Sequence, residues 1–147
     1  MHLSDQSGGA VRGIVAWRVF RHGAVIEDVR DDNLVVAGAR AVNASLVGGA
    51  PGFAITRFGI GTSLLAAVPG NTLLTGAYTN ALSAVTYPTA GQVQFTFGLG
   101  PTEANGMAIG EIGLLTAGGI LYARKVRAGA LTKTSAVSLA GTWTLVF

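Results

Sequence analysis

Residues 92–99 read Gln92-Val93-Gln94-Phe95-Thr96-Phe97-Gly98-Leu99. Val93, Phe95, Phe97 and Leu99 share one parity, and Gln92, Gln94, Thr96 and Gly98 share the other. A period of two sends these sets to opposite faces of an extended strand, one apolar and one neutral-polar. Working outward, Ala81–Tyr87 precedes it across the turn Pro88-Thr89-Ala90-Gly91, which predicts a hairpin. Met107–Thr116 and Ile120–Val126 flank Ala117-Gly118-Gly119 as a second hairpin. The final segment, Ser135–Phe147, places Val137, Leu139, Trp143, Leu145 and Phe147 on one face. Upstream, Gly13–Phe20 and Ala24–Val29 pair around Arg21-His22-Gly23, a loop of roughly three residues in which glycine supplies the positive φ. Phe53–Ile60 is a further strand, followed by a loop over 61–79 that carries Leu64, Leu65, Val68, Leu73 and Leu74.

One helix interrupts this pattern. Asp31-Asp32-Asn33 offers short side-chain acceptors for the free N–H groups of a first turn. Val35, Ala39, Val42 and Leu46 then recur at helical spacing until Gly48-Gly49. The chain therefore reads as mainly β: an antiparallel β-sandwich or jelly-roll-like domain with one amphipathic helix over about 34–47. Residues 1–10 read as a flexible N-terminal arm and 11–147 as a single β-rich domain.

Composition narrows the function. The 147 residues carry 12% charged side chains and 22 glycines, with a formal charge of +3. A soluble domain ordinarily carries about 25% charged residues. Mean hydropathy is +0.51, and the 45 residues from Phe58 to Thr102 contain no charge at all. Pro69, Gly70, Asn71, Gly76, Asn80, Pro88 and Gly91 break that run, and its longest wholly apolar stretch is Leu64–Val68. A spanning helix needs about 20 apolar residues, so no membrane insertion is expected. Met1–Gly9 is polar and lacks the apolar region of a secretory signal. What remains is a surface covered by other subunits, because interfaces are depleted in charge and edge strands need cover.

Chemistry-bearing residues are few. With no cysteine, disulfides, thiolate metal sites and cysteine nucleophiles are excluded. His2 and His22 are the only imidazoles, and neither lies near a nucleophile-elbow sequence. Glu27, Asp28, Asp31 and Asp32 cluster, but at an expected helix start, where carboxylates favour the dipole. Asp28, Asp31, Asp32 and Asn33 lack the spacing of a calcium loop. Gly59-Ile60-Gly61-Thr62 and Gly98-Leu99-Gly100-Pro101 extend to no phosphate-binding motif, and turn or bulge geometry covers both. Arg124, Lys125 and Arg127 form the one basic group, with Arg124 facing away from the other two on a strand, too little for phosphate binding. These features predict no enzyme, no cofactor, no metal and no nucleic-acid partner. A receptor- or carbohydrate-binding module would need exposed aromatics, for which Trp17, Tyr78, Tyr87 and Tyr122 are the candidates.

The order of short motifs carries a resemblance. Asn33-Leu34-Val35-Val36 is followed by Ile55-Thr56-Arg57-Phe58-Gly59-Ile60-Gly61-Thr62 and by Glu103-Ala104-Asn105-Gly106. Then come Ile109-Gly110-Glu111-Ile112-Gly113-Leu114-Leu115, Leu121-Tyr122-Ala123-Arg124, and Lys133-Thr134 with Trp143-Thr144-Leu145-Val146-Phe147. Over roughly residues 30–147 this resembles small structural proteins of tailed bacteriophages, above all tail-collar and tail-fibre attachment domains. The resemblance implies a virion protein of the tail, baseplate or fibre attachment, assembled in the host cytoplasm as a trimer or ring with other virion proteins. A capsid decoration or cement protein is the alternative. No fibre shaft or receptor-binding tip is expected after Phe147, which favours a connector, baseplate or decoration subunit. The residues expected at interfaces are Leu64, Leu65, Val68, Leu73 and Leu74 of the loop, with Glu111 and Arg124 as an ion-pairing position within or between subunits.

Overall fold

The computed structural model describes residues 11–147, so the expected arm at 1–10 lies outside the described residues. Nine strands and one helix follow in the order β1 (Arg12–Arg21), β2 (Ala24–Val35), α1 (Ala39–Val47), β3 (Ile55–Gly61), β4 (Tyr78–Ala81), β5 (Ala84–Thr86), β6 (Gln92–Leu99), β7 (Ala108–Thr116), β8 (Leu121–Thr132) and β9 (Val137–Val146). They form one sheet in the order β4-β3-β7-β8-β2-β1-β9-β6-β5, with every neighbouring pair antiparallel.

The sheet curls into two facing layers. β2, β1, β9, β6 and β5 make the first, and β4, β3, β7 and β8 the second. The layers join where Leu34 and Val35 of β2 pair with Arg124 and Ala123 of β8. On the far side, Asn80 of β4 donates its side-chain N–H to the Gly98 carbonyl of β6 at 3.3 Å. Alternation fills the space between. Val15, Trp17 and Val19 of β1 pack with Phe95, Phe97 and Leu99 of β6, Trp143 and Leu145 of β9, and Phe58, Ile60, Ile112 and Leu114 from the opposite layer. Phe58 stacks on Phe97 across the layers with ring centroids 4.3 Å apart, a separation that adds to plain area burial. The reading of residues 92–99 is therefore the reading of the core.

Four local expectations are corrected. The helix begins at Ala39, not near 34, because Leu34 and Val35 complete β2 and pair with β8. Asp31 and Asp32 therefore lie in a strand, and the helix starts at Gly38 with no side-chain cap. The first hairpin closes through His22 and Gly23 alone, with φ of 50° and 80°, while Arg21 pairs directly with Ala24. Two consecutive positive φ values make a tight turn whose twist matches that of its strands, and glycine takes the second without penalty. Finally, the strand expected over 81–87 divides in two. β4 pairs with β3, β5 pairs with β6, and Leu82-Ser83 carries the chain between layers.

Candidate functional site

The segment between β3 and β4, residues 62–77, lies over the outer face of the second layer. That face is built to receive it. A Cβ at Gly59 would meet a Leu74 methyl at 2.8 Å, one at Gly61 the Thr75 carbonyl at 2.8 Å, and one at Gly110 the Ser63 carbonyl at 2.7 Å. The absence of side chains on these strands admits the loop. Gly59 and Gly61 thus serve close approach within the regularly paired stretch of β3, not the turn or bulge expected of Gly59-Ile60-Gly61-Thr62. In the resulting notch Leu74 packs with Val36, Leu115 and Leu121 as a second small core. At 5% exposure Leu74 is closed to any neighbour, contrary to its expected interface place.

A buried ion pair fixes the same loop. Arg124 Nε donates to Glu111 Oε1 at 2.7 Å, with the side chains only 3% and 1% exposed. Glu111 Oε2 accepts the backbone N–H groups of Ser63 at 3.0 Å and Thr75 at 2.9 Å. The other Arg124 nitrogens reach Asn71 Oδ1 at 3.0 Å and the Leu65 carbonyl at 2.9 Å. Both charges are therefore spent on one loop of their own chain, which withdraws Glu111 and Arg124 from contact with another subunit. Above the staple, Leu64, Leu65, Val68 and Leu73 remain exposed, Leu65 at 78%.

A second apolar feature was not visible in the sequence. Between α1, the start of β3 and the β5–β6 hairpin runs a groove of about 640 Å³, lined by Leu46, Ile55, Val85, Tyr87, Phe95 and Phe147 among others, with no charged side chain in its wall. This volume falls in the range of sites that take apolar groups. Tyr87 and Phe147 are exposed at its rim. β5 ends the sheet order, so its outer edge carries no partner strand among the described residues.

The opposite side of the sandwich is charged. Arg127 Nη2 bonds Glu27 Oε1 at 3.0 Å, Trp17 Nε1 donates to Glu27 Oε2 at 2.6 Å, and the guanidinium lies 5.9 Å from the Trp17 ring centroid. Lys125 Nζ reaches Asp31 at 2.7 Å and Arg18 reaches Asp28 at 3.3 Å. Hydrogen bonding from Arg127 holds the Glu27 carboxyl below its ordinary pKa, and that from Lys125 does the same for Asp31. The acidic cluster is thus a row of ion-pair partners along the part of β2 before Leu34, which β8 does not pair, and charge blunts that open edge. Arg124 does face away from Lys125, being buried on the loop side.

Among the aromatic candidates, Trp17 and Tyr122 are buried and Tyr78 is half-buried, which leaves Tyr87 exposed. Tyr122 donates its hydroxyl to Asn43 Oδ1 at 2.9 Å, and burial raises its pKa. Glu103 accepts from the Gly100 N–H at 2.9 Å and from Asn80 Nδ2 at 2.6 Å. The wholly buried Lys133 donates to Asn105 Oδ1 at 2.9 Å and to the Thr134 carbonyl at 3.0 Å. Loss of hydration lowers the Lys133 pKa. Among the described residues no group of three or more His, Asp or Glu side chains gathers as metal ligands, and no helix is long and apolar enough to cross a membrane. Compared with protein-family models, with curated proteins and with solved structures, the chain matches none.

Proposed function

We propose that this chain is a non-enzymatic structural subunit that works by self-association, as a trimer or ring in the tail, baseplate or fibre-attachment region of a tailed-phage virion. One observation carries the reading: a long stretch of chain without a charged side chain presents a group of large exposed apolar residues, although Val25 and Ile26 are also exposed on the charged strand β2. The β2–β8 side is blunted by three ion pairs. The loop over 62–77, β4, β5 and β6 lie within the 45-residue uncharged run and expose Leu64, Leu65, Val68, Leu73, Val85 and Tyr87. Exposed apolar patches of this kind mark protein contacts.

The virion assignment draws on the ordered motifs, and their placement supports it. Glu111 of the Ile109–Leu115 motif meets Arg124 of the Leu121–Arg124 motif, and Lys133 meets Asn105 of Glu103-Ala104-Asn105-Gly106. Residues that form the resemblance form the framework of the loop and turn. Light scattering on the full chain tests the proposal. It expects an assembly of about three times the 14.9 kDa chain mass, and a monomer at every concentration refutes it. Locating the subunit in a virion reconstruction separates a tail position from a capsid-decorating one.

A further inference from the structure

We infer that the exposed leucines of the 62–77 loop on one copy seat in the apolar groove beside β5 on the next, so that the chain assembles head to tail. This rests on the proposed self-association and names the surfaces that perform it.

Three observations lead to it. First, the two surfaces match in character, since neither the groove wall nor the loop carries a charged side chain. Bringing them together desolvates no charged side chain, whereas contact through the β2–β8 side would bury or break ion pairs. Second, the loop is presented as a formed knob. Glu111 and Arg124 hold its backbone at Ser63, Leu65 and Thr75, and Leu74 anchors it from below. Leu64, Leu65 and Leu73 therefore stand outward with little ordering entropy left to lose on binding. Third, one copy cannot satisfy itself. Ile55, at the start of β3, lines the groove, while Gly61, at its end, lies against Glu111 beneath the loop. Six residue steps along a strand are about 20 Å, so the leucines of the loop do not fill the groove of their own copy.

Because knob and groove are different patches, the contact is heterologous. Such contacts close into rings when the rotation permits and otherwise grow as filaments. A trimer is the ring that the proposed function expects.

The experiment uses two variants of the full chain. Leu65→Asp disables the knob and leaves the groove. Tyr87→Glu disables the groove and leaves the knob. Both positions are exposed, so the variants keep the fold, checked by circular dichroism. Each variant alone is expected to require at least about tenfold more protein to assemble, a change of about 1.4 kcal/mol. Mixed in equal amounts, the two are expected to form dimers of one copy of each, because one intact knob and one intact groove remain. If each is monomeric and the mixture is too, the contact is not heterologous and the inference fails. If either variant assembles like the unaltered chain, self-association stands and these surfaces are the wrong ones. If the unaltered chain is itself monomeric throughout, the proposed function falls with the inference.

Discussion

Glutamine in place of Glu111 tests the account of the loop most sharply. Glu111 faces three donors: Arg124 Nε at Oε1, and the Ser63 and Thr75 N–H groups at Oε2. Both of its oxygens must accept. A glutamine side chain has one acceptor atom and one donor atom. In either orientation its NH₂ therefore opposes the guanidinium or two backbone N–H groups. Glu111→Gln also leaves Arg124, only 3% exposed, without its counter-charge. Removing one partner of a buried pair costs about 3–5 kcal/mol, a large part of the roughly 5–15 kcal/mol that holds a domain folded. At about 2–4 °C per kcal/mol for a chain of this size, the melting midpoint falls by about 6–20 °C. The double change Glu111→Leu with Arg124→Met removes both charges and regains part of that loss, since apolar replacement of a whole pair is often neutral. It does not restore acceptors for Ser63 and Thr75, so their amides exchange at loop rates even where the midpoint recovers. Thermal denaturation with amide hydrogen exchange reads both effects. A Glu111→Gln midpoint within about 2 °C of the unaltered chain, with Ser63 and Thr75 still protected, would refute the reasoning.

Leu74→Ala is expected to cost about 2–5 kcal/mol and Leu65→Ala less than about 0.5 kcal/mol in urea denaturation under monomeric conditions; similar losses would contradict the division between anchor and knob. Lys133→Met frees the Asn105 side chain that Lys133 holds, so that the Gly106 backbone nitrogen can attack the Asn105 Cγ, expel ammonia and leave a succinimide that water opens to the acid; mass spectrometry should record this conversion as faster, and an unchanged rate counts against Lys133 as its restraint. Glu27 and Asp31 have depressed native pKa values, so over the acid range the unfolded chain binds more protons and stability is lost as pH falls through those native values. Lys133, depressed by burial, acts on the basic limb: stability rises as pH climbs from its lowered native value toward the ordinary lysine value. Urea midpoints across pH check both limbs, and a Glu27→Gln chain that keeps the full acid slope removes Glu27 from the explanation.

The strands that bury one face were legible because period two survives in the residues themselves. Val93 to Leu99 and Val137 to Leu145 show it without ambiguity. Asp31-Asp32-Asn33 misled for a physical reason. Short acceptor side chains suit a helix start, and charged ones suit an exposed edge strand, so one triplet satisfies both environments. Only the Leu34–Arg124 and Val35–Ala123 pairing distinguishes them, and pairing is non-local. The loop leucines were recognised as needing cover, but not which of them the fold covers itself. Leu74 is buried because Gly59 and Gly113 leave room for it, and those glycines stand 15 and 39 positions away in the chain. The groove left no local signal, since α1, β3, β5 and Phe147 each contribute only one or two side chains.

β1 and β9 lie side by side with Arg12 opposite Val146 and Arg21 opposite Val137. A tension applied through Arg12 and Val146 would act on the first rung of that ladder alone and peel it open bond by bond, like a zipper. Pulling instead between Arg21 and Val146, at opposite ends of the paired strands, loads every rung together in shear. Single-molecule stretching should find the first geometry yielding at much lower force than the second, so a subunit of this design withstands load passed through its faces rather than along its thread.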